Sequence, residues 1–511
     1  MPVWNFVRKS VYRDSVTLMR LARGLESLPG VQQAAVMMGT PHNRGLLRDA
    51  GLLTPDGDAA SPNDLLIAIE AEGLNTAEQA RAAAEEALTT RHPPTPGLAA
   101  NPPRTLDSAR RTLSAANLAL ISVPGVYAGA EALKALRAGL HVMLFSNNVP
   151  VETEVELKRL ARARGLFLMG PDCGTAIING TPLGFANRVP RGHIGLAGAS
   201  GTGLQEVSCL IASAGEGISQ AIGVGGRDLS DEVGGMMMDR ALAALAADAA
   251  TEVVCIIGKP PGPSVYQHLQ QQILRLTKPG VVYFPGLPPS EHAPWHAAAT
   301  LEDAAHAAVA LVHGAVPRPL TFTVPADEVA RLVEETARAL RQGQRFVRGI
   351  YAGGTLAYEA IGLLQARLAD VAPGVAGEGE GHRVVDLGAD VFTVGRPHPM
   401  LDGTLRREWI RKEGRDPSTA VLLLDVILGY GAHPDPAGEI LPALDVARRE
   451  AQAEGRHLAV VASVCGTDGD PQGRSAQIAA LQAQGVIIMP SNAQAARLTA
   501  LIAARVGEIR A

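Results

Sequence analysis

Three consecutive blocks of short apolar runs, alternating with helically spaced segments, predict an α/β protein. The expected architecture is Rossmann-like and flavodoxin-like doubly wound parallel sheets, preceded by a small α+β module of ferredoxin-like type. Two further observations agree. The apolar runs end in glycine-rich turns, and the chain carries 55 glycines but only 4% aromatic residues. That composition suits close packing of helices on sheets.

The elements follow in order. Residues 1–92 read strand (4–8), helix (15–28), strand (33–38), strand (65–69) and helix (77–88), the pattern of the small module. The segment His92-Pro-Pro-Thr-Pro-Gly and Asn101-Pro-Pro stops both helix and strand, so a boundary is placed there. The second block has strands at 118–123, 140–145 and 166–169, with helices at 128–138 and 152–163. After Pro190 come strands at 194–196, 220–224, 253–257 and 281–284. Val316-Pro-Arg-Pro separates these from a last block, with strands at 349–351, 384–386, 420–424, 458–462 and 486–489. The expected domains are 1–100, 101–190, 191–315 and 320–511.

At 511 residues and a net charge of −5, nothing favours nucleic acid. No run reaches the roughly 18 apolar residues of a membrane helix, and the first residues lack a signal-peptide pattern. Cys173, Cys209, Cys255 and Cys465 share no metal-site spacing. No disulfide, no metal and a cytoplasmic location are therefore expected.

Two turns carry the chemistry. An apolar run at 193–196 leads into Ala199-Ser-Gly-Thr-Gly203, and a helical pattern follows from about 204. A second run ends in Tyr351-Ala-Gly-Gly-Thr355, with a helix from 356. Backbone N–H groups at such a turn, backed by the helix dipole, bind phosphate or carboxylate. Neither turn is a Walker A or GxGxxG motif. Ser200, Gly201, Thr202, Gly203, Gly353, Gly354 and Thr355 are the expected anion-binding residues. Plain helix capping is the alternative reading of each turn taken alone.

Other candidates lie near strand ends, where ligands sit in open α/β sheets. Gly395-Arg-Pro-His-Pro-Met-Leu-Asp402 offers Arg396 as a carboxylate or phosphate fork and His398 as acid or base, with Arg406 shortly beyond. Gly429-Tyr-Gly-Ala-His433-Pro-Asp435 offers His433 and Asp435, and Cys465-Gly-Thr-Asp-Gly-Asp470 follows another strand. Both also read as ordinary turns. Cys173, beside Asp172, reads as a buried inert thiol. Met236-Met-Met238 reads as core, and Asp228 and Asp231 as helix caps.

From about 120 to 311 the chain resembles the α subunit of succinyl-CoA synthetase. Val123-Pro-Gly-Val-Tyr, Gly170-Pro-Asp-Cys-Gly, Ala199-Ser-Gly-Thr and Gly223-Val-Gly-Gly carry the likeness, in order. The last block resembles the ligase domain of that enzyme's β subunit, through Tyr351-Ala-Gly-Gly-Thr, Val385-Asp-Leu-Gly and Leu424-Asp-Val-Ile-Leu-Gly. The fused arrangement with its amino-terminal module is similar to the FdrA family. That resemblance implies sheets of the succinyl-CoA synthetase type. It also implies a subunit of an oxamate carbamoyltransferase in ureide catabolism, which works with separate partner subunits. Such an enzyme interconverts oxalurate plus phosphate with oxamate plus carbamoyl phosphate.

The sequence departs from the parent ligase in three places. The counterpart of the CoA loop, 102–119, has no glycine and reads as a polar helix. The counterpart of a Glu-Gly-Ile-Pro turn is Phe145-Ser-Asn-Asn-Val-Pro150, without the acid. The glutamate that supports a phosphohistidine is matched by Lys259. The histidine loop itself is replaced by Pro288-Pro-Ser-Glu-His292-Ala-Pro-Trp-His296. A phosphorylated imidazole needs a carboxylate partner, whereas a lysine suits phosphate or an acyl phosphate directly.

The expected roles are therefore Lys259, His398 and His433 in catalysis, with Arg396, Asp172 and Asp435 orienting a small ureido or carboxylic acid. Phosphate or carbamoyl phosphate is the expected substrate. No cofactor is implied, and the altered loop speaks against CoA. Two other readings stand beside this one. One is an acyl-CoA synthetase acting through a phosphohistidine at His292 or His296. The other is a non-catalytic scaffold.

Overall fold

The structure is a computed structural model that describes residues 1–11, 15–26, 28–89, 103–286, 295–372, 381–393 and 397–510. The proline-rich connector, His292 and Arg396 lie outside them. The chain forms two compact units, 1–112 and 113–511.

In the first unit β1 (Val3–Arg8), β2 (Val31–Met38) and β3 (Leu65–Ala71) form one antiparallel sheet in the order β1-β3-β2. Inserting β3 between β1 and β2 makes a split βαβ unit. The expected ferredoxin-like module is thus present as three strands among the described residues. Leu65, Ile67 and Ile69 face the helices Ser15–Glu26 and Leu74–Thr89, burying Leu18, Leu21, Leu25, Ala77, Ala80 and Ala84. Leu66 and Ala68 point to the other face, against Leu47 and Leu52. A strand buried on both faces needs such an unbroken apolar run.

The second unit is α/β and contains three sheets. In the first, β4 (Leu118–Ile121), β5 (His141–Leu144) and β6 (Leu168–Met169) are parallel and in chain order. With no reversal of strand order, this small sheet is wound in one direction only. The expected polar helix over 102–119 is shorter, Leu106–Thr112, and belongs to the first unit.

The second sheet uses β7 (Thr175–Ile178), β8 (Thr181–Gly184), β9 (Ile194–Gly198), β10 (Ile218–Gly223), β11 (Val253–Ile257), β12 (Gly280–Tyr283) and β13 (His296–Ala297). Its order is β13-β12-β11-β9-β10-β7-β8. The β7–β8 hairpin, absent from the sequence reading, adds an antiparallel edge through Ala221 and Ile177. Its turn, Asn179-Gly180, has positive φ at both residues, the geometry that lets two strands double back tightly. The third sheet is wholly parallel: β14 (Phe346–Tyr351), β15 (Arg383–Asp386), β16 (Thr419–Ile427), β17 (Ala459–Cys465) and β18 (Ile487–Met489), in the order β15-β14-β16-β17-β18.

Strand order reverses at β9 in the second sheet and at β14 in the third. Both glycine-rich turns leave the sheet at these switch points, where crossovers diverge to opposite faces and open a crevice. One continuous apolar core joins the two sheets and includes Leu196, Leu204, Ile257, Tyr351, Leu356, Ala360, Leu423 and Leu498. The first sheet is tied on by charge. Lys158, fully buried, donates to Glu154 (2.8 Å), Asp228 (2.7 Å) and the Val224 carbonyl (3.1 Å). Asp228 also accepts from the N–H groups of Met237 and Met238, and Asp231 from those of Ser264 and Val265. Both act as caps, and Met236, Met237 and Met238 are core.

Candidate functional site

The helix Gly201–Ser213 starts directly after β9, and the helix Gly354–Gln365 directly after β14. Their first turns meet. The hydroxyls of Ser200 and Thr355 lie 2.6 Å apart, and both residues are buried. Ser200 is the N-cap of its helix and accepts from the Gly203 N–H at 2.9 Å. The second cap is Gly353, whose N–H and that of Ala352 donate to the Asp425 carboxylate at 2.7 and 2.9 Å. Among the described residues, the N–H groups of Gly201, Thr202, Gly354 and Thr355 have no acceptor outside their helices. Two positive helix ends facing each other repel unless negative charge lies between them.

Asp386 supplies part of that charge. It ends β15, opposite Tyr351 of β14. A Cβ on Gly354 would stand 2.6 Å from its Oδ2, so only glycine lets the carboxyl sit on the helix end. Its Oδ1 accepts from the Gly388 N–H at 2.9 Å. Burial pushes its pKa up to about 7, against the pull of that bond and of Lys259. Asp172 lies in the turn after β6 at φ 55°. Desolvation of its carboxyl first, then the charge of Asp390, raise its pKa to about 6. Lys259, just beyond β11, extends over the Tyr358 ring at 5.4 Å and acts on both carboxyls. The structure thus brings Ser200, Gly201, Thr355, Gly354, Lys259 and Asp172 to one crevice, together with Asp386, which the sequence reading missed.

His398 borders the same crevice. The point where Gly388 would carry a Cβ lies 2.7 Å from His398 Nε2, 2.8 Å from the Ala352 carbonyl and 3.1 Å from Asp386 Oδ1. Its Nδ1 accepts from the Met400 N–H at 3.2 Å, which places the proton on Nε2. Burial lowers its pKa to about 4. The ring is therefore neutral, with Nε2–H as a donor beside Asp386 and the Ala352 carbonyl, where the sequence offered it as acid or base.

The remaining candidates have other surroundings. Asp435 caps the helix Pro436–Ala453, accepting from Gly438 N–H and Gln477 Nε2 at 3.0 Å each. His433 lies 3.8 Å from Glu439 and, with Arg406, Met400 and Ala352, lines a small cavity. Arg406 is buried and bonds Asp425 at 3.0 Å and the Ile350 carbonyl, so it holds the carboxylate that holds the Gly353 turn. His296 stands in edge strand β13, 3.7 Å from Asp303, three strands from β9. Burial raises the Cys173 thiol to about 12, which makes it inert.

Below the crevice the two helices share a polar clamp. Asn492 donates from its backbone to Glu206 (3.0 Å) and from Nδ2 to Glu359 (2.7 Å), and accepts from the Tyr351 hydroxyl (3.1 Å). Burial pushes Glu359 up to about 7 and also raises Glu206.

At the start of the helix Gly125–Arg137 the carbonyls of Asn147 and Asn148 press against Gly125 and leave no room for a side chain there. Residues 1–102 contain no cysteine, so they lack the thiolates that a soft heavy metal prefers.

Comparison with known proteins finds relatives of the CoA-ligase type. Residues 350–502 match the CoA-ligase family, residues 191–286 the CoA binding domain, and residues 1–102 the heavy metal-associated domain of AllF. Over 507 residues the chain is 39% identical to the uncharacterized protein YahF of Escherichia coli, covering 96% of this chain and 97% of that one. It is 31% identical over 179 residues to a mitochondrial succinate–CoA ligase α subunit of Trichomonas vaginalis, covering 34% of this chain and 57% of that one. An ATP citrate lyase from Methanothrix soehngenii aligns with 80% of this chain and 85% of its own, at 13% identity and a TM-score of 0.35. Among the described residues no helix is long and apolar enough to cross a membrane.

Proposed function

The chain belongs to the family of the Escherichia coli protein YahF, and from that premise we propose that it is a ligase-type enzyme that forms or cleaves an acyl phosphate of a small organic acid. The observation that carries this reading is the 2.6 Å contact between Ser200 and Thr355. It joins two helix ends whose dipoles both favour negative charge.

In this reading a phosphoryl group displaces the Ser200–Thr355 bond. It then takes hydrogen bonds from both hydroxyls and from the N–H groups of Gly201, Thr202, Gly354 and Thr355. Lys259 offsets its charge at the open side, and His398 Nε2–H donates to the acyl oxygen. The helix ends are fixed before the ligand arrives, so charge developing on the oxyanion is stabilised without reorganisation. Asp425, Arg406 and Asn492 position the two turns. No step passes through CoA.

A second reading is favoured by Lys259, which stands where the resemblance puts a phosphohistidine-supporting glutamate. It is carbamoyl transfer, in which phosphate attacks the carbamoyl carbon of oxalurate. The new C–O bond replaces the C–N bond, and the departing nitrogen takes a proton to give oxamate. Both readings share the acyl phosphate and differ in the acid.

The test incubates the protein with phosphate and oxalurate, or with nucleotide and a panel of carboxylic acids, and traps acyl phosphate with hydroxylamine. Hydroxamate that disappears in Lys259→Ala and Thr355→Val is expected, and the productive arm selects the reading. Hydroxamate unaffected by both substitutions, or none in either arm, refutes the proposal.

A further inference from the structure

We propose that the crevice takes up one proton, on Asp386, each time it binds a doubly charged oxyanion, so that the protonated site is the one that accepts dianions. This rests on the cradle reading above and adds the protonation state in which it works.

Three geometric observations carry it. First, Asp386 Oδ2 sits on the first turn of the Gly354 helix, 2.6 Å from where a Cβ would stand. A bound oxyanion that reaches the Gly354 and Thr355 N–H groups must touch this carboxyl. Second, the charge around it is insufficient. Among the described residues, Lys259 is the cation that acts most on Asp386, while Asp425 and Asp172 act on it as carboxyls. Arg406 is already committed to Asp425 at 3.0 Å, and His398 is a neutral donor. A dianion beside an ionised Asp386 leaves two like charges in contact in an enclosed site, and such a pair is relieved by protonating one of them. Third, an unsatisfied group already points at the cradle. Thr175 is 2% exposed, its Oγ1 has no hydrogen-bond partner, and it lies 3.3 Å from where Gly201 would carry a Cβ. A buried orphan hydroxyl at a helix end is a donor awaiting an acceptor.

In the protonated state Asp386 donates its O–H to the oxyanion and stops repelling it. Its position near pKa 7 without ligand makes the exchange reversible around neutrality. The proton comes from solvent and returns there when the anion leaves.

Sulfate is the probe, because its charge stays at −2 across neutral pH. Titration calorimetry at pH 8, in two buffers of different ionisation enthalpy, gives the protons taken up per sulfate. About one proton is expected for the wild type, with affinity falling about tenfold per pH unit above 7. Asp386→Asn, which keeps the Gly388 bond, is expected to bind sulfate at pH 8 with no proton uptake and no pH slope. Thr175→Val is expected to weaken binding several-fold with the proton count unchanged. Wild-type binding without proton uptake overturns the proposal, as does a wild-type pH slope in Asp386→Asn. Absence of sulfate binding at pH 6 in the wild type and Asp386→Asn overturns the cradle itself, a different failure.

Discussion

Ser200 and Thr355 are 155 residues apart in sequence and share one hydrogen bond of 2.6 Å. The bond closes the gap between two helix ends that leave their sheets at the two switch points. In the unliganded protein each hydroxyl satisfies the other, so neither is left buried without a partner.

Removing that pair separates binding from stability. Thr355→Val keeps the side-chain shape and removes a donor. Acyl phosphate affinity is expected to fall at least tenfold, with a change in unfolding free energy of about 1 kcal/mol. Ser200→Ala also removes the cap on Gly203 and is expected to cost about 1 kcal/mol more. Calorimetric binding and thermal unfolding of both variants check this.

Gly354→Ala places a methyl against Asp386 Oδ2. Alanine favours the helix by about 1 kcal/mol, so a gain in stability is the expectation from the helix alone. The clash is expected to outweigh it, with a net loss of 1–3 kcal/mol on the order of other overpacked sites. Gly354→Ala with Asp386→Ala is expected to restore stability but not sulfate binding. Denaturant unfolding of the single and double variants decides it.

Glu359 gives a stability signature with pH. Its folded pKa is raised to about 7 from an ordinary 4.5. The native state therefore holds a proton that the unfolded chain has released. The associated stability is complete below about 4.5 and is lost as pH rises through 7, at most about 3 kcal/mol. Asp386 acts in the same direction. His382 and His398, lowered to about 4, act in the opposite one between about 4 and 6.5. Glu359→Gln is expected to be less stable than wild type at pH 5, because its amide faces the donor of Asn492 or Leu301. The gap is expected to narrow by pH 8. Melting curves at the two pH values test the narrowing.

Lys158 answers two buried carboxylates, Glu154 and Asp228. Lys158→Met leaves Asp228 without this cation, while Glu154 keeps Arg227 at 2.9 Å, and is expected to cost about 3–5 kcal/mol. Chemical denaturation followed by circular dichroism measures this. A loss under 1 kcal/mol contradicts the assigned role.

Much of this architecture was legible because parallel strands buried on both faces leave long apolar runs, and because glycine turns mark their ends. The Ser200 and Gly354 turns carried their chemistry in their composition. Their meeting did not, since it depends on strand order, which periodicity does not encode. The β7–β8 hairpin was hidden because Thr175-Ala-Ile-Ile and Thr181-Pro-Leu-Gly are too short to stand out. Asp386 read as an ordinary strand end, and Asn492 as a helix start. Asp435 and His433 shared the sign that marks a site, a polar turn after a strand; Asp435 caps a helix and His433 lines a small cavity. Only the neighbours of such a turn distinguish the two outcomes.

The most direct test is a crystal of the full chain soaked with tungstate, whose anomalous signal locates a phosphate-sized oxyanion. The expected result is a peak between Ser200 and Thr355, with their hydroxyls parted and the Gly201 and Gly354 N–H groups turned to it. An intact Ser200–Thr355 bond, with tungstate bound elsewhere or not at all, contradicts the account.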